Sequence, residues 1–395
     1  MRIGVDATCW TNRRGYGRFA RSLLPAALAA DPAKDYTFFV DTESEEFPLP
    51  DGVEIVRVAA DVPTVKAAAA DGSRSLSDMW AMSRAFSRAK LDLFFFPSVY
   101  SYVPMLSRVP QLVTIHDVIP ELFPKLVFPS LRSRLFWRAK VWMGCAQARL
   151  VLTVSDYSRK CLAEQLHIPE QRMRVVNEAS DPVFRVLDNA QPTPLLERLG
   201  LTRNTRFLTY VGGFSPHKNL PLLVDAFAEL QKFPGHEDVR LVFGGDYEGD
   251  VFFSGYRQLV ERVQKAGLTD KVIFTGYLRD ADLIALLNMT QGLLLPSFCE
   301  GFGLPAIEAA ACGAPVVVTT ESPLPEILGE GAIALRPDDF QGWVDALSRV
   351  VADETLRRKM SAAGLAATAK LSWENSAQQL LAIFDEVRGN RVPAA

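Results

Sequence analysis

The sequence predicts an α/β protein made of two doubly wound, Rossmann-like domains that face each other across a cleft. Short apolar runs alternate with segments of helical spacing, and this alternation stops and restarts once. The interruption is the segment 188–194, which holds two prolines and has no apolar period. We therefore expect an N-terminal domain over 1–187, a C-terminal domain over 188–371, and a final helix within 372–395 that packs back toward the N-terminal domain.

Seven short apolar runs in the first half are predicted as strands of a mostly parallel sheet. The first run enters a loop rich in Arg and Gly and then a helix whose apolar positions include Phe19, Leu23 and Leu24. The segment 59–72, rich in Ala and Asp and without an apolar period, is predicted to be a mobile loop. The seven predicted strands are 2–6, 36–41, 54–58, 93–97, 112–116, 151–155 and 173–176.

The second half repeats the alternation. Doubly wound sheets bind ligands at the carboxyl ends of their strands, so the cleft between the halves is the expected site. An amphipathic stretch over 373–387 follows the last strand. The predicted strands are 207–211, 239–243, 272–274, 293–295, 315–318 and 333–335, with helices over 220–231, 256–266 and 280–288 among them.

Composition and charge are those of an ordinary globular protein. With 48% hydrophobic residues and a net charge of −3, the 395-residue chain lacks the basic balance of a nucleic-acid binder. Its five cysteines are scattered and form no C-x-x-C pair, so neither a disulfide framework nor a zinc site is predicted. The chain enters a strand pattern at once, and no apolar run approaches the roughly 20 residues of a membrane span. A cytoplasmic location is therefore expected, and the oligomeric state is not indicated.

Residues 293–319 combine a buried strand, a glycine turn, a helix and a second buried strand. Glu300 lies in the turn, and Glu308 lies more than one turn inside the helix. Between them, backbone N–H groups of the helix N-terminus favour an anion. This arrangement predicts a phosphate in the middle, with hydroxyl groups bound at either side.

The loop after the strand 207–211 contains Gly212, Gly213 and Lys218. The glycines allow backbone to approach a phosphate closely, and the lysine supplies a point charge. The alternative is a glycine turn with a surface lysine, since isolated glycine motifs match often. Both this loop and the turn at Glu300 follow strands of the second half, so they could converge on one diphosphate.

Taken together, these motifs resemble the retaining glycosyltransferases of family 4, which have the GT-B fold. The E-x7-E pair Glu300 and Glu308 carries the resemblance first. The other matching stretches, in chain order, are GYGR at 15–18, TIHDVIPELFP at 114–124, TVSDYS at 153–158, YVGGFSPHKN at 210–219, FTGYL at 274–278 and PSFCEGFGLPAIEAAACGAPVV at 296–317.

The resemblance implies roles for several residues of the second half. Glu308 would hold the ribose hydroxyls of a nucleotide diphosphate sugar, and Glu300 would face the donor sugar or support the reacting centre. Lys218 would neutralise the departing diphosphate. Backbone at Phe302, Gly303 and Leu304 would bind the distal phosphate, Gly212 and Gly213 would also contact the donor, and Tyr277 and Leu278 correspond to the family's base-binding position.

The family often has an arginine a few residues before the lysine. This chain has Gly213 and Phe214 there, with His217 beside the lysine, so a second cation is not provided by the motif.

In the first half, the resemblance places His116 in the donor sugar pocket, opposite Glu300, where it would orient a hydroxyl and stabilise an oxocarbenium-like transition state. A histidine at a strand end is otherwise commonly a structural group. Asp117 shapes the turn or contacts acceptor, and both alternatives stay open. Gly15 and Gly17 would approach the diphosphate. Arg13, Arg14 and Tyr16 belong either to an acceptor loop or to a solvated basic loop. Ser155 is interpreted as a helix N-cap.

Three acidic or basic segments have simpler interpretations. Asp280 and Asp282 open a predicted helix and are interpreted as capping residues, and the acidic segment 246–250 is interpreted as an ordinary turn, so no metal is predicted. The segment 125–149 holds basic and aromatic residues and no acid. We favour a domain helix with its apolar face inward and a solvated basic face; the alternative is a helix lying on an anionic membrane surface.

The sequence thus predicts a retaining, metal-independent hexosyltransferase without a cofactor. Its donor would be a GDP- or UDP-linked mannose or glucose type sugar, and its acceptor a hydroxyl of a glycan or a lipid-linked sugar, in polysaccharide, glycolipid or cell-envelope synthesis. No obvious nucleophile and base form a pair, which fits a front-face mechanism. One alternative is a non-catalytic nucleotide-sugar binding protein. An NAD-dependent oxidoreductase is disfavoured, since 4–17 contains no G-x-G-x-x-G run.

Overall fold

The computed structural model of the chain describes residues 1–61, 64, 75–247 and 255–389. It divides into two compact units: an N-terminal unit, Met1–Glu178 together with the segment from Ser372 onward, and a C-terminal unit, Ala179–Leu371. The sequence-based boundary after 187 lies further along the chain. The reason is visible at Leu187, whose N–H donates to Asn288 Oδ1 at 2.8 Å and so ties this stretch to the C-terminal unit.

The N-terminal unit contains a seven-stranded sheet of order β3-β2-β1-β4-β5-β6-β7, and all its pairings are parallel. The strands are β1 Arg2–Asp6, β2 Asp35–Val40, β3 Glu54–Arg57, β4 Leu93–Phe96, β5 Gln111–Thr114, β6 Ala148–Thr153 and β7 Met173–Val175. Its helices are Gly15–Ala30, Leu76–Arg88, Ile119–Leu122, Pro124–Val127, Leu131–Gln147, Asp156–Leu166 and Trp373–Gly389, with a 3-10 turn at Glu170–Arg172.

Buried aromatic rings fill the core of this unit. Phe86 and Phe94 have ring centroids 4.7 Å apart, and Phe94 and Phe96 are equally close. The last helix, Trp373–Gly389, belongs to the same core, since Trp373 packs edge-on against Phe19 of the first helix. The chain therefore returns to its first unit at the end.

The C-terminal unit has a six-stranded parallel sheet of order β10-β9-β8-β11-β12-β13. The strands are β8 Phe207–Val211, β9 Arg240–Gly244, β10 Val272–Gly276, β11 Gly292–Leu295, β12 Val316–Thr319 and β13 Ala332–Leu335. The helices are Pro194–Arg198, Leu220–Leu230, Tyr256–Lys265, Asp280–Met289, Leu304–Ala311, Leu324–Leu328, Phe340–Ala352 and Glu354–Thr368, with 3-10 turns at Pro216–Lys218 and Gly329–Gly331.

Both sheets reverse their strand order once. In the C-terminal unit the chain runs from β8 outward to β10 and then returns to β11 on the other side of β8; in the N-terminal unit the same reversal occurs between β1 and β4. All residues of β11 and β12 are buried, as expected for strands covered on both faces. The prediction of two doubly wound α/β domains is confirmed, and each reversal marks the strand ends where ligands bind in such sheets.

Some expectations lie outside the described residues. The predicted mobile loop 59–72 falls there except for 59–61 and 64, and so do 248–250 of the acidic turn. Among the helices that the structure describes, none is both long enough and apolar enough to cross a bilayer.

Candidate functional site

The strongest candidate site lies at the carboxyl ends of β8 and β11, on either side of the reversal in the C-terminal sheet. Lys218, after β8, donates from Nζ to Glu300 Oε1, after β11, at 2.8 Å. The two side chains are 20% and 9% exposed, so this is a largely buried ion pair that still reaches the surface. The Ser297 hydroxyl also donates to Glu300 Oε1. The predicted convergence of the two loops is therefore observed.

The loop after β8 is folded by its glycines and by one asparagine. Gly212 has φ 151°, and a Cβ there would lie 2.6 Å from the Tyr210 hydroxyl oxygen, which in turn donates to the Gly213 carbonyl at 2.6 Å. Asn219 adopts the left-handed conformation, and its Nδ2 donates to the carbonyl of Pro296 at 3.2 Å. These bonds tie the lysine loop to the end of β11, which sets the position of Lys218.

The helix Leu304–Ala311 begins directly beyond the ion pair. Gly303 precedes it with φ 87°, and a Cβ at that position would lie 2.6 Å from Leu324 Cδ1, so the turn requires glycine. The first N–H groups of a helix have no partner inside the helix, and the dipole makes its N-terminus favourable for an anion. The side chains of Phe302 and Leu304 are buried, so this part of the turn offers backbone rather than side chains.

Glu308 lies in the second turn of this helix and is almost fully buried. Burial, and then the charge of Glu308, raise the pKa of the Cys312 thiol to about 12. Cys312 is therefore a protonated, packed side chain, and Glu308 is the carboxyl group that this helix carries.

Tyr277 and Leu278 follow β10, but the structure separates their roles. Tyr277 is 42% exposed, whereas Leu278 is buried beneath Gly244, where an added Cβ would lie 3.1 Å from Leu278 Cδ1. Of the two, Tyr277 has a ring surface available to a base, and Leu278 belongs to the core.

The position that lacks the arginine is occupied by a core residue. Phe214 is buried, and its ring lies 5.4 Å from that of Tyr256 and 6.2 Å from that of Phe274. A cation could not replace this ring without opening the core, so Lys218 is the cation that this loop supplies.

In the N-terminal unit, the loop after β1 is folded mainly on itself. A Cβ at Gly17 would lie 2.1 Å from the Asn12 carbonyl oxygen, whereas nothing lies within 4 Å of one at Gly15. Asn12 Nδ2 donates to the Tyr16 hydroxyl at 2.6 Å, and Asn12 Oδ1 accepts from the Arg14 N–H at 2.7 Å. Gly17 therefore has a packing role, and Gly15 is the glycine whose backbone remains open. Arg13 forms an ion pair with Glu46 at 2.5 Å on the surface.

His116 follows β5 and has an acceptor beside each ring nitrogen. Nε2 lies 2.9 Å from the Pro97 carbonyl, which can only accept, and Nδ1 lies 3.5 Å from Glu178 Oε1. The ring packs edge-on against Phe19 at 4.9 Å. Sequence reasoning missed Glu178; the available signal was an acid just after the strand β7, at the same edge of the sheet as His116.

Other predicted polar residues have local roles. Asp117 Oδ1 accepts from the Ile119 N–H at 2.9 Å and so shapes the turn. Ser155 caps its helix by accepting from the Ser158 N–H, as predicted. Asp280 and Asp282 lie in the first turn of the helix Asp280–Met289, where acidic residues were expected, although Arg279 is its N-cap residue. Asp282 also accepts from the Thr193 hydroxyl at 2.6 Å.

Two family descriptions match the chain, one on each half: Glycosyltransferase Family 4 over residues 26–182, and Glycosyl transferases group 1 over 195–366. The O-antigen chain mannosyltransferase B of Escherichia coli is 31% identical over 279 residues, covering 68% of each chain. Mannosylfructose-phosphate synthase of Agrobacterium fabrum is 33% identical over 260 residues, 65% of this chain and 56% of that protein. The match to the serotype-specific mannosyltransferase WbdA of Escherichia coli, 29% identical over 265 residues, covers 66% of this chain but 32% of WbdA.

Solved structures share the fold. Sucrose-phosphate synthase from Thermosynechococcus elongatus superimposes with a TM-score of 0.76 at 19% identity, covering 98% of this chain and 99% of that one. Alr3699/HepE from Anabaena, solved with UDP and glucose, gives a TM-score of 0.71 at 18% identity, covering 98% and 100%. Fold and relatives together define a glycosyltransferase with the GT-B fold. The chain belongs to glycosyltransferase family 4.

Proposed function

We propose that this protein is a retaining hexosyltransferase that moves a mannose or glucose type sugar from a GDP- or UDP-linked donor to a hydroxyl group, without a metal ion. The acceptor would be a glycan or a lipid-linked sugar in polysaccharide, glycolipid or cell-envelope synthesis. The sugar class is supported by relatives named as mannosyltransferases, and the donor class by the neighbour that was solved with UDP and glucose.

The observation that carries the proposal is the Lys218–Glu300 pair beside the N-terminus of Leu304–Ala311. When the anomeric C–O bond breaks, negative charge develops on the diphosphate and positive charge on the sugar ring. Lys218 and the first N–H groups of the helix stabilise the diphosphate. Glu300, an anion at the same strand edge, stabilises the ring or binds its hydroxyls.

The pair also explains how a flexible lysine is held in place. Lysine loses considerable side-chain entropy when it is immobilised, and Glu300 holds Nζ before a donor arrives. A diphosphate would then meet a positioned cation rather than a mobile one. The acceptor oxygen would bond to the anomeric carbon on the face from which the diphosphate leaves, and its proton would pass to the departing phosphate oxygen.

Donor selection would depend on Glu308 for the ribose hydroxyls and on Tyr277 for the base. Thermal-shift measurements with GDP-, UDP-, ADP- and dTDP-sugars test this, because a ligand of the folded state adds about 2.7 kcal/mol of stability at 100 times its Kd. We expect GDP- or UDP-sugars to raise the melting temperature of the wild type and not of Glu308→Gln. Glu326→Gln, at an exposed acid of the next helix, is the matched control. An unchanged melting temperature with all four donors contradicts the proposal.

A non-catalytic nucleotide-sugar binding protein is the second candidate, favoured by the core phenylalanine where family members often have arginine. Turnover assays distinguish the transferase from the non-catalytic binding protein. Transfer to an acceptor, or hydrolysis of the donor without one, excludes mere binding. Proton NMR of the product separates retention from inversion, since a retaining enzyme gives a product with the anomeric configuration of the donor.

A further inference from the structure

The helix Leu131–Gln147 of the N-terminal unit carries large apolar side chains on its outward face. Leu131, Leu135, Phe136 and Trp142 are 77%, 64%, 48% and 71% exposed. The buried residues of the helix are Trp137, Val141 and Gly144. A capping box between Ser130 and Ser133 closes its N-terminus, so the outward face is carried by a well-formed helix.

The exposed residues follow the helical period. Leu131, Leu135 and Trp142 stand at i, i+4 and i+11, which places them on one stripe, away from the buried residues. Arg134 and Arg138 flank this stripe on one side. The helix has the buried apolar face and the solvated basic face that the favoured interpretation expects. What that interpretation did not include is that the solvated face is apolar as well as basic.

Charge along this part of the chain has a single sign. The segment 125–149 contains six basic residues and no acidic one. Such a surface is complementary to anionic lipid headgroups, and tryptophan and leucine beside arginine suit the boundary between headgroups and acyl chains. A second copy of the same face would bring arginine against arginine, which is unfavourable.

We propose that the outward face of Leu131–Gln147 docks on the surface of an anionic lipid bilayer. Leu131, Leu135 and Trp142 enter the acyl boundary, and Arg132, Arg134 and Arg138 bind the headgroups. The helix lies in the plane of the interface and does not cross the membrane.

The same helix is linked to the candidate acceptor loop of this unit through Tyr100. Trp137 packs on Tyr100 with ring centroids 4.8 Å apart, and Tyr100 stacks on Tyr16 at 5.3 Å. Lys140 Nζ donates to the Tyr100 carbonyl at 2.8 Å. If the proposed function is correct, docking brings the loop at Tyr16 near a lipid-linked acceptor; docking itself does not depend on that function.

Co-sedimentation with phosphatidylglycerol/phosphatidylcholine vesicles tests the proposal. We expect the wild type to bind these vesicles, to bind pure phosphatidylcholine weakly, and to be released by salt. Each basic side chain near the surface contributes about fivefold in partitioning, so Arg132→Gln/Arg134→Gln/Arg138→Gln should lose on the order of 100-fold. Leu131→Ser/Leu135→Ser/Trp142→Ser should lose binding to a comparable extent.

Matched controls come from another helix of the same unit, Leu76–Arg88, and the residues that follow it. Leu76→Ser/Trp80→Ser removes exposed apolar side chains, and Arg84→Gln/Arg88→Gln/Lys90→Gln removes three exposed charges. Both should bind as the wild type does. Melting curves check folding, and the arginine variant, which alters only exposed charges, keeps the test valid if the apolar variant unfolds.

Three outcomes overturn the proposal: wild type that stays in the supernatant with anionic vesicles, control variants that lose as much binding as the helix variants, or sedimentation velocity that shows a dimer in buffer dissociated by Trp142→Ser. The last result would make this face an interface between copies of the chain. Transfer to a water-soluble acceptor should be unaffected by the helix variants, so failure of docking remains distinct from failure of the proposed transferase activity.

Discussion

Glu300 in the C-terminal unit and Glu121 in the N-terminal unit are both little exposed, but they lie in different electrostatic surroundings. Glu300 in the C-terminal unit accepts from Lys218 and from the Ser297 hydroxyl. Glu121 in the N-terminal unit accepts from the indole Nε1 of Trp137 at 2.7 Å. Burial, helped by the nearby charge of Asp117 and opposed by this bond, raises the pKa of Glu121 to about 7. The first carboxylate is part of a charge-compensated site, whereas the second is held among aromatic side chains.

The same contrast extends to the other candidate residues. In the C-terminal unit Lys218 and Glu300 meet at the carboxyl ends of β8 and β11, next to the N-terminus of the helix Leu304–Ala311. In the N-terminal unit Gly17, Asp117 and His116 each have a partner within the unit that accounts for their position. The positions of these three residues are therefore explained by packing and hydrogen bonding alone, and experiments must test whether they also have a function.

The largest expected effect is at Lys218. Lys218→Ala should lower kcat by about 10²-fold or more, because one preorganised donor to a developing anion contributes that much. It should also lower the free energy of unfolding by about 1–3 kcal/mol, since it leaves the buried Glu300 carboxylate without its cation. Steady-state kinetics and thermal unfolding measure the two losses.

The double variant Lys218→Ala/Glu300→Ala separates them. It should regain part of the stability and none of the rate, because no unpartnered charge remains buried. Lys232→Ala, at an exposed lysine paired with Glu229, is the control and should change neither quantity. Full turnover by Lys218→Ala would remove this residue from the site.

The next effect is the pH dependence set by Glu121. Because its pKa is higher in the folded protein than in the unfolded chain, the folded state binds the proton more tightly, and stability falls as pH rises from about 4.5 to about 7. This group should account for a loss on the order of 3 kcal/mol over that range, and the loss should stay constant at higher pH. Denaturant unfolding at pH 5 and pH 8 measures the loss.

Glu121→Gln keeps an acceptor for Trp137 but cannot titrate. The contribution of this group to the pH dependence of stability should therefore be absent in the variant. Glu164→Gln, at an exposed acid, should behave as wild type. If the free energy of unfolding changes equally with pH in wild type and Glu121→Gln, the aromatic surroundings do not shift the pKa of this carboxyl group.

The two glycines of the first loop give a matched pair. Gly17→Ala should destabilise by about 2 kcal/mol, because its Cβ would overlap the Asn12 carbonyl. Gly15→Ala meets no atom within 4 Å and should be neutral or stabilise by up to about 1 kcal/mol. If backbone at Gly15 approaches the diphosphate, Gly15→Ala should raise KM for the donor while the melting temperature stays the same or rises. Equal melting temperatures for the two variants would contradict the packing role of Gly17.

The smallest expected effect concerns Glu178 as a positioning residue. Glu178→Gln keeps the size of the side chain but removes the charge beside His116 Nδ1, so we expect about a tenfold lower kcat with KM for the donor little changed. Glu178→Asp should restore part of the rate, and Glu374→Gln, an exposed acid of the same unit, should be neutral. A kcat for Glu178→Gln within twofold of wild type would leave Glu178 a purely structural neighbour.

Much of the C-terminal site could be predicted because its residues are close in sequence to the strand ends that carry them. The apolar runs of β11 and β12 reveal a buried parallel sheet, and glycines at 212 and 303 mark turns that require unusual φ values. What could not be predicted is that Lys218 bonds to Glu300, because a contact between loops of different strands depends on the strand order.

Fewer contacts of the N-terminal unit could be predicted from the sequence, for the same reason. Glu178 lies beside His116 because β5, β6 and β7 are neighbours in the sheet, and Gly17 is needed because the loop folds back to Asn12. Neither contact produces a hydrophobic period or a local motif from which it could be predicted.

The sequence by itself determined the element types, the doubly wound class and the strand ends that carry polar residues, because hydrophobic period and turn chemistry are local properties. Only the tertiary structure decided which partner each polar group has and which face of Leu131–Gln147 points outward. Helical spacing is the same for either face, and the choice depends on the sheet against which the helix packs. The lysine, the two glutamates and the basic helix were all visible in the sequence, and packing assigned each of them its surroundings.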